Sequence, residues 1–271
     1  MADWQPRRAE TINLPIRIIQ NGKMPRLGRR DGDTRPDFVL WGDSHADALV
    51  PAFDQAAFDH RASGVALTRG ATPPLVGLHM NAPGANGPNW AFRDAAVAYL
   101  QRERPACVVL AARWSGLMTW NCGSDGKPAT NATEKEQCLA KALSETITTV
   151  LNAGVERVWI LEEVPSQRFN VPKQLALHEL FGWQDVRPVS QEEFATATEP
   201  IALLFQRLTN ERVSYLDVAA LLRKASESSL LVDGACAYSD DNHISATAAR
   251  ALAPYLDPIF DGIRSSHELG R

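Results

Sequence analysis

Two short motifs near opposite ends of the chain hold the residue types of a nucleophilic catalyst: Gly42-Asp43-Ser44-His45 and Asp240-Asp241-Asn242-His243. A serine hydroxyl attacks a carbonyl only when a base takes its proton, and the base must itself be oriented by a third group. Ser44 is then the candidate nucleophile, His243 the base and Asp240 the orienting carboxylate. The spacing of Asp240-x-x-His243 lets a carboxylate on a turn reach Nδ1 of the imidazole while Nε2 faces outward. Asp241 competes for that role, and the spacing favours Asp240. Each motif alone has a plainer meaning, because Asp and Ser are common helix starters and Asp-x-x-His pairs arise by chance. Their combination and placement point to acyl transfer through a serine ester.

The elements that must position these residues are legible around them. Residues 38–41, Phe-Val-Leu-Trp, form the continuous apolar run of a strand buried on both faces, ended by Gly42. Beyond it Ala46, Leu49, Ala52, Phe53, Ala56 and Ala57 recur at helical spacing as far as Asp59. Ser44 therefore falls at a strand-to-helix turn on the carboxyl edge of a sheet, beside helix N–H groups able to hold an oxyanion. His243 falls just before a last helix, residues 245–260, bent at Pro254.

Five strand-like runs, residues 38–41, 64–68, 107–111, 157–161 and 213–216, alternate with helical patterns over residues 46–59, 91–104, 134–152 and 192–208. Gly154 is placed to stop the third of these helices, and Ser190-x-x-Glu193 is a capping box for the fourth. The alternation predicts an α/β fold, three layers α/β/α around a five-stranded parallel sheet. Residues 1–34 are turn-rich and charged, strand-like only over residues 12–19, and read as an extension that packs on the domain or a linker to a membrane segment; residues 35–271 form the catalytic domain. Residues 163–188 make a long excursion at the carboxyl edge.

Composition bounds the function. A chain of 271 residues with 45% hydrophobic content buries one large core. A net charge of −4 gives no basic excess for nucleic acid or anionic lipid. The four cysteines form no Cys-x-x-Cys and meet no histidine cluster, so neither a metal nor a cofactor is expected. Cys122 and Cys138 bracket a polar loop and could pair in an oxidising compartment. Glu162 and Glu163 follow a strand, but no second carboxylate motif suggests glycosidase chemistry. No stretch approaches the roughly 20 apolar residues of a spanning helix, and the first residues have no signal-peptide core.

The two motifs resemble those of the SGNH (GDSL-type) hydrolases, whose first block holds the serine and whose last block reads Asp-x-x-His. Residues 36–46, Val108-Val109-Leu110-Ala111-Ala112-Arg113-Trp114 and Tyr238-Ser239-Asp240-Asp241-Asn242-His243-Ile244-Ser245 look like the SGNH domain fused to acyltransferase-3 membrane proteins, over about residues 35–260. The resemblance implies a flavodoxin-like SGNH fold and a domain on the periplasmic side of the inner membrane, following a membrane domain of the same native chain. That domain would relay the acetyl donor. The implied activity is O-acetylation of a glycan such as lipopolysaccharide O-antigen. A carbohydrate acetyl esterase is the alternative, and a non-catalytic glycan-binding module a second.

Two departures bear on the site. SGNH hydrolases carry Gly-x-Asn-Asp after the third strand, the Asn donating to the oxyanion, whereas this chain reads Ala112-Arg113-Trp114-Ser115. The remaining oxyanion donors, by analogy, are the N–H groups of Ser44 and Gly70. Loss of one such donor typically costs about 10² to 10³ in rate, so a two-donor hole is slow unless Arg113 or bound glycan completes it. Arg113 and Trp114 are candidate substrate contacts, and Trp114, Trp120 and Trp183 either stack on sugars or pack in the core or rim. The other departure is Thr72 before Pro73-Pro74 and Asn89 further on, where the fused family usually has cysteines.

Overall fold

The computed structural model describes residues 12–30, 35–81, 89–119, 121–124, 127–182, 186–226, 230–261 and 263. The chain enters through helix α1 (Ile16–Gln20) and strand β1 (Arg26–Gly28). Strand β2 (Phe38–Gly42) leads into helices α2 (Ser44–Ala48) and α3 (Val50–Asp59), then strand β3 (Ser63–Thr68). Next come β4 (Leu78–Asn81), α4 (Asn89–Glu103), β5 (Cys107–Ala111), α5 (Trp114–Thr119), β6 (Asn121–Ser124), β7 (Lys127–Pro128) and the long α6 (Ala132–Asn152). Strand β8 (Arg157–Leu161) is followed by α7 (Val171–Phe181), α8 (Gln191–Leu208), β9 (Val213–Leu216) and α9 (Val218–Ala225). The hairpin β10 (Leu231–Val232) and β11 (Ala235–Cys236) precedes α10 (Ala246–Leu252), a 3₁₀ turn (Ala253–Leu256) and α11 (Asp257–Phe260).

The main sheet has six strands in the order β1-β3-β2-β5-β8-β9, not five. The five expected strands are all present and mutually parallel; the sixth, β1, lies antiparallel against β3 at the edge. It comes from the segment read as an extension and is only three residues long, too short for a periodic signal. Residues 12–19 hold no strand: Ile12 makes a single bridge to Thr68, and Ile16 onward is helical. The first predicted helix is two helices meeting at Leu49, where Pro51, which brings no N–H to the turn before it, starts the second. Gly154 with φ 93° ends α6, and the Ser190–Glu193 capping box opens α8, as their residue types required.

Alternation along β2 divides the interior. Phe38 and Leu40 face a core completed by α3, α10 and α11, while Val39 and Trp41 face one completed by α4, α6 and α8. Both faces of the sheet are covered, which is why β2, β3 and β5 read as unbroken apolar runs. Gly42 has no room for a side chain: a Cβ there would lie 1.8 Å from the Ala111 carbonyl oxygen and 2.6 Å from the Ala46 Cβ. Only glycine lets the chain turn from β2 into α2 against β5, and that turn delivers Ser44 to the carboxyl edge. Among the described residues no helix is long and apolar enough to cross a membrane.

Candidate active site

Asp43 organises the turn after β2. It is the N-cap of α2, and its Oδ1 accepts from the His45 N–H at 2.8 Å. Its Oδ2 accepts from the Arg113 N–H at 2.9 Å, tying the turn after β5 to the turn after β2. Burial pushes the Asp43 carboxyl up, against the pull of the Arg113 and His45 N–H groups. Ser44, as the first helical residue, has no intrahelical acceptor for its own N–H.

The last motif meets this turn from across the sheet edge. His243 Nε2 lies 2.8 Å from Ser44 Oγ, and His243 Nδ1 lies 2.7 Å from Asp240 Oδ2. The other oxygen of Asp240 accepts from the N–H groups of Asn242, at 2.8 Å, and His243, at 2.7 Å. Burial pushes the Asp240 carboxyl up, but hydrogen bonds from the His243 ring and these two N–H groups outweigh it and hold the group well below the ordinary carboxylate range. Asp241 does not reach His243; its Oδ1 accepts from the Asn242 side chain at 2.8 Å. The Ser44, His243 and Asp240 side chains thus form one hydrogen-bonded line, in the order that lets the imidazole take the Ser44 proton.

His45 packs behind the imidazole, its ring centroid 4.7 Å from that of His243 and its side chain hydrogen-bonded to Asn242. Burial, then the neighbouring charges of His243 and Arg113, holds its pKa well below the ordinary histidine value, so this second ring stays neutral beside the first. The excursion after β8 pins the loop from outside: the Gln167 N–H donates to the Asp241 carbonyl at 2.6 Å, and the Val171 N–H to the Asp240 carbonyl at 3.1 Å. Tyr238 donates its hydroxyl to the Pro165 carbonyl at 3.0 Å. Gln167, Tyr238 and Val171 are site-building residues that spacing could not reveal, because each acts across a long chain separation, as does the bond of Asn242 to His45.

The remaining expected site residues fare differently. Gly70 does not present a vacant donor, since its N–H donates to Asn13 Oδ1 at 3.0 Å. Trp114 is not a substrate contact: its ring is fully buried edge-on against Phe205, and its indole N–H donates to the Leu161 carbonyl at 2.7 Å. With both its apolar body and its polar tip satisfied inside the core, it has no surface to offer a sugar. Arg113 stands at the carboxyl end of β5, half-buried. The side chains of Trp120, Trp183 and Cys122 lie outside the described residues, and with them the Cys122–Cys138 pairing. Among the described residues no group of three His, Cys, Asp or Glu side chains could hold a metal ion.

Glu162 and Glu163 line a small cavity with His45 at the foot of the site. Glu163 accepts from the Ser115 N–H at 2.6 Å and the Ser115 hydroxyl at 2.9 Å, which fixes the start of α5. Burial pushes its carboxyl up to about 7, with the Ser115 bonds pulling the other way, whereas an ordinary glutamate lies at 4.5. Between those two values the folded protein binds a proton that the unfolded chain has released, so stability falls as pH rises through that window. Glu163→Gln is expected to remove this share of the fall. Thermal midpoints of both proteins from pH 4.5 to 7 check it. The contributions of Glu162 and His45 are common to both and cancel in the difference. Equal slopes would contradict a Glu163 that is neutral in the fold.

Comparison with known proteins adds three findings. The family described as the SGNH domain (fused to AT3 domains) matches residues 16–258. The periplasmic domain of a Salmonella ser. Paratyphi A lipopolysaccharide acetyltransferase shares the fold, with a TM-score of 0.67 and 15% identity, covering 93% of this chain and 91% of that one. The salicylyl-acyltransferase SsfX3 from a tetracycline biosynthetic pathway superposes with a TM-score of 0.45 and 10% identity, over 87% of this chain and 58% of that one. No curated protein matches the chain.

Proposed function

The chain belongs to the SGNH domain family, in the form fused to AT3 domains, and from that premise we propose that it transfers an acetyl group through Ser44 to a sugar hydroxyl of a cell-surface glycan. The observation that carries the reading is the Ser44–His243–Asp240 line at 2.8 and 2.7 Å. Ser44 Oγ attacks the carbonyl carbon of the acetyl donor as His243 Nε2 takes its proton. The carbonyl electron pair moves onto oxygen, and the Ser44 N–H donates to it. Collapse expels the leaving group, which takes the proton from His243, and leaves acetyl-Ser44. A sugar hydroxyl then loses its proton to His243 and attacks the same carbon. Ser44 departs with the proton, and the glycan carries the ester. Asp240 keeps the imidazole in the tautomer with hydrogen on Nδ1 and stabilises its charged form.

The Ser44 N–H is the backbone donor left open to the oxyanion, the Gly70 N–H serving it only if Asn13 releases it, and Arg113 contacts substrate. Residues 35–271 form the catalytic domain, and residues 1–34 are an extension or linker from which β1 joins the edge of its sheet. Family membership supports a membrane AT3 domain as the source of the acetyl group and the periplasmic face of the inner membrane as the location. Lipopolysaccharide is the favoured acceptor class, since the Salmonella structure that shares the fold is described as a domain of a lipopolysaccharide acetyltransferase.

The same three residues would also serve an esterase, and the acceptor distinguishes the two. We expect protein loaded with radiolabelled acetyl from an activated ester to place most of its label on added lipopolysaccharide and to release acetate only slowly when no acceptor is present. Label appearing as acetate at the same rate with and without glycan would make it an esterase.

A further inference from the structure

Arg113 occupies the place where SGNH hydrolases carry their oxyanion asparagine, and among the described residues its Nε has no hydrogen-bond partner. Its backbone N–H is bound to Asp43, the residue before Ser44, so it is fixed beside the nucleophile turn. That Nε is also buried. A buried N–H left unpaired is costly and rare, and calls for an explanation in the work of the site. His45 and Glu163 both feel the positive charge of Arg113, in the directions expected of a nearby cation.

The oxyanion, meanwhile, is short of donors. The asparagine is absent, and the Gly70 N–H is held by Asn13. That leaves the Ser44 N–H as the one proposed donor not already engaged. A neutral amide and a guanidinium differ in a way that suits this deficit, because hydrogen bonds between ionised partners are about twice as strong as neutral ones.

We propose, resting on the acyl-transfer reading above, that the Arg113 guanidinium is a catalytic oxyanion donor, replacing a neutral carboxamide with a fixed cation. As the bond from Ser44 Oγ to the carbonyl carbon forms, the carbonyl electron pair moves onto oxygen and a guanidinium N–H donates to it. The guanidinium keeps its proton throughout. When the pair returns and the leaving group departs with the proton from His243, the bond weakens again. Arg113 therefore acts in both half-reactions and independently of the acceptor's identity.

The test is the acylation step alone, followed by stopped-flow release of nitrophenolate from 4-nitrophenyl acetate with no glycan present. Arg113→Ala is expected to slow acylation by about 10² to 10³. Arg113→Lys should fall between Ala and the parent, and millimolar guanidinium or methylguanidinium should restore part of the rate to Arg113→Ala but not to Arg113→Lys. Arg113→Gln, with a neutral amide, should be slower than Lys, which keeps the comparison usable if Ala fails to fold. A variant series acylating at the parent rate overturns the inference. So does a loss that neither lysine nor added guanidinium repairs, which marks a structural role. A defect confined to the glycan-dependent step marks an acceptor contact and overturns it too. If the parent forms no Ser44 adduct, the acyl-transfer reading falls and this inference with it; a parent that acylates normally beside an equally fast Arg113→Ala removes the inference alone.

Discussion

Ser44→Ala is expected to reduce acylation by about 10⁶, the scale at which removal of a serine nucleophile leaves only binding and oxyanion stabilisation. The hydroxyl is the sole atom lost, and its one hydrogen bond is to His243. Helix α2 is capped by Asp43, not by Ser44, and the Ser44 N–H is unchanged by the substitution. The variant should therefore fold with the parent's thermal midpoint while losing the nitrophenolate burst. A variant that keeps more than a tenth of the parent rate with the same fold would remove Ser44 from the chemistry.

Asp240→Asn is expected to cost about 10⁴ in kcat/KM, although the shape of the site barely changes. The asparagine oxygen can still accept from the Asn242 and His243 N–H groups, as Asp240 Oδ1 does now. Its amide nitrogen then faces His243 Nδ1, where a carboxylate oxygen stood at 2.7 Å. Two donors cannot meet, so the imidazole proton moves to Nε2 and the ring can no longer accept from Ser44. Because hydrogen bonds keep Asp240 ionised far into acid, its own titration should not set the acidic limit of activity. Asp241→Asn serves as the control, since Asp241 bonds only the Asn242 amide in this loop. Equal losses in the two variants would mean that loop rigidity, and not imidazole orientation, is what matters.

How much of this was legible in the sequence depended on distance along the chain. The turn holding Ser44 was readable because an apolar strand, a glycine and a helical repeat are contiguous, and the preference for Asp240 over Asp241 followed from local spacing. Helix α7 was passed over within a long excursion, although its signals were present: Asn170 caps it, Pro172 opens it and Gly182 at φ 62° closes it. Its weakness as a pattern has a physical cause, since only Val171 is buried and no apolar face repeats. Strand β1 was invisible for the opposite reason, being well buried at Leu27 but only three residues long. Trp114 stayed open between two readings because an aromatic at a strand's carboxyl end is compatible with either a sugar platform or a core ring. Only the Leu161 carbonyl and the Phe205 ring, far away in sequence, decide between them. The Asn13 amide on Gly70 is likewise a contact between distant segments, and it engages the N–H that the sequence offered as a second oxyanion donor.

The central claim is that an acetyl group resides covalently on Ser44 during turnover. The most direct measurement is intact and peptide mass spectrometry of the protein quenched in acid within seconds of mixing with an activated acetyl ester. A single acetyl group on the peptide containing Ser44, absent from Ser44→Ala and discharged faster when lipopolysaccharide is added, is the predicted result. Ester turnover with no acetyl on that peptide at any quench time, or an acetyl group that persists unchanged in Ser44→Ala, would contradict it.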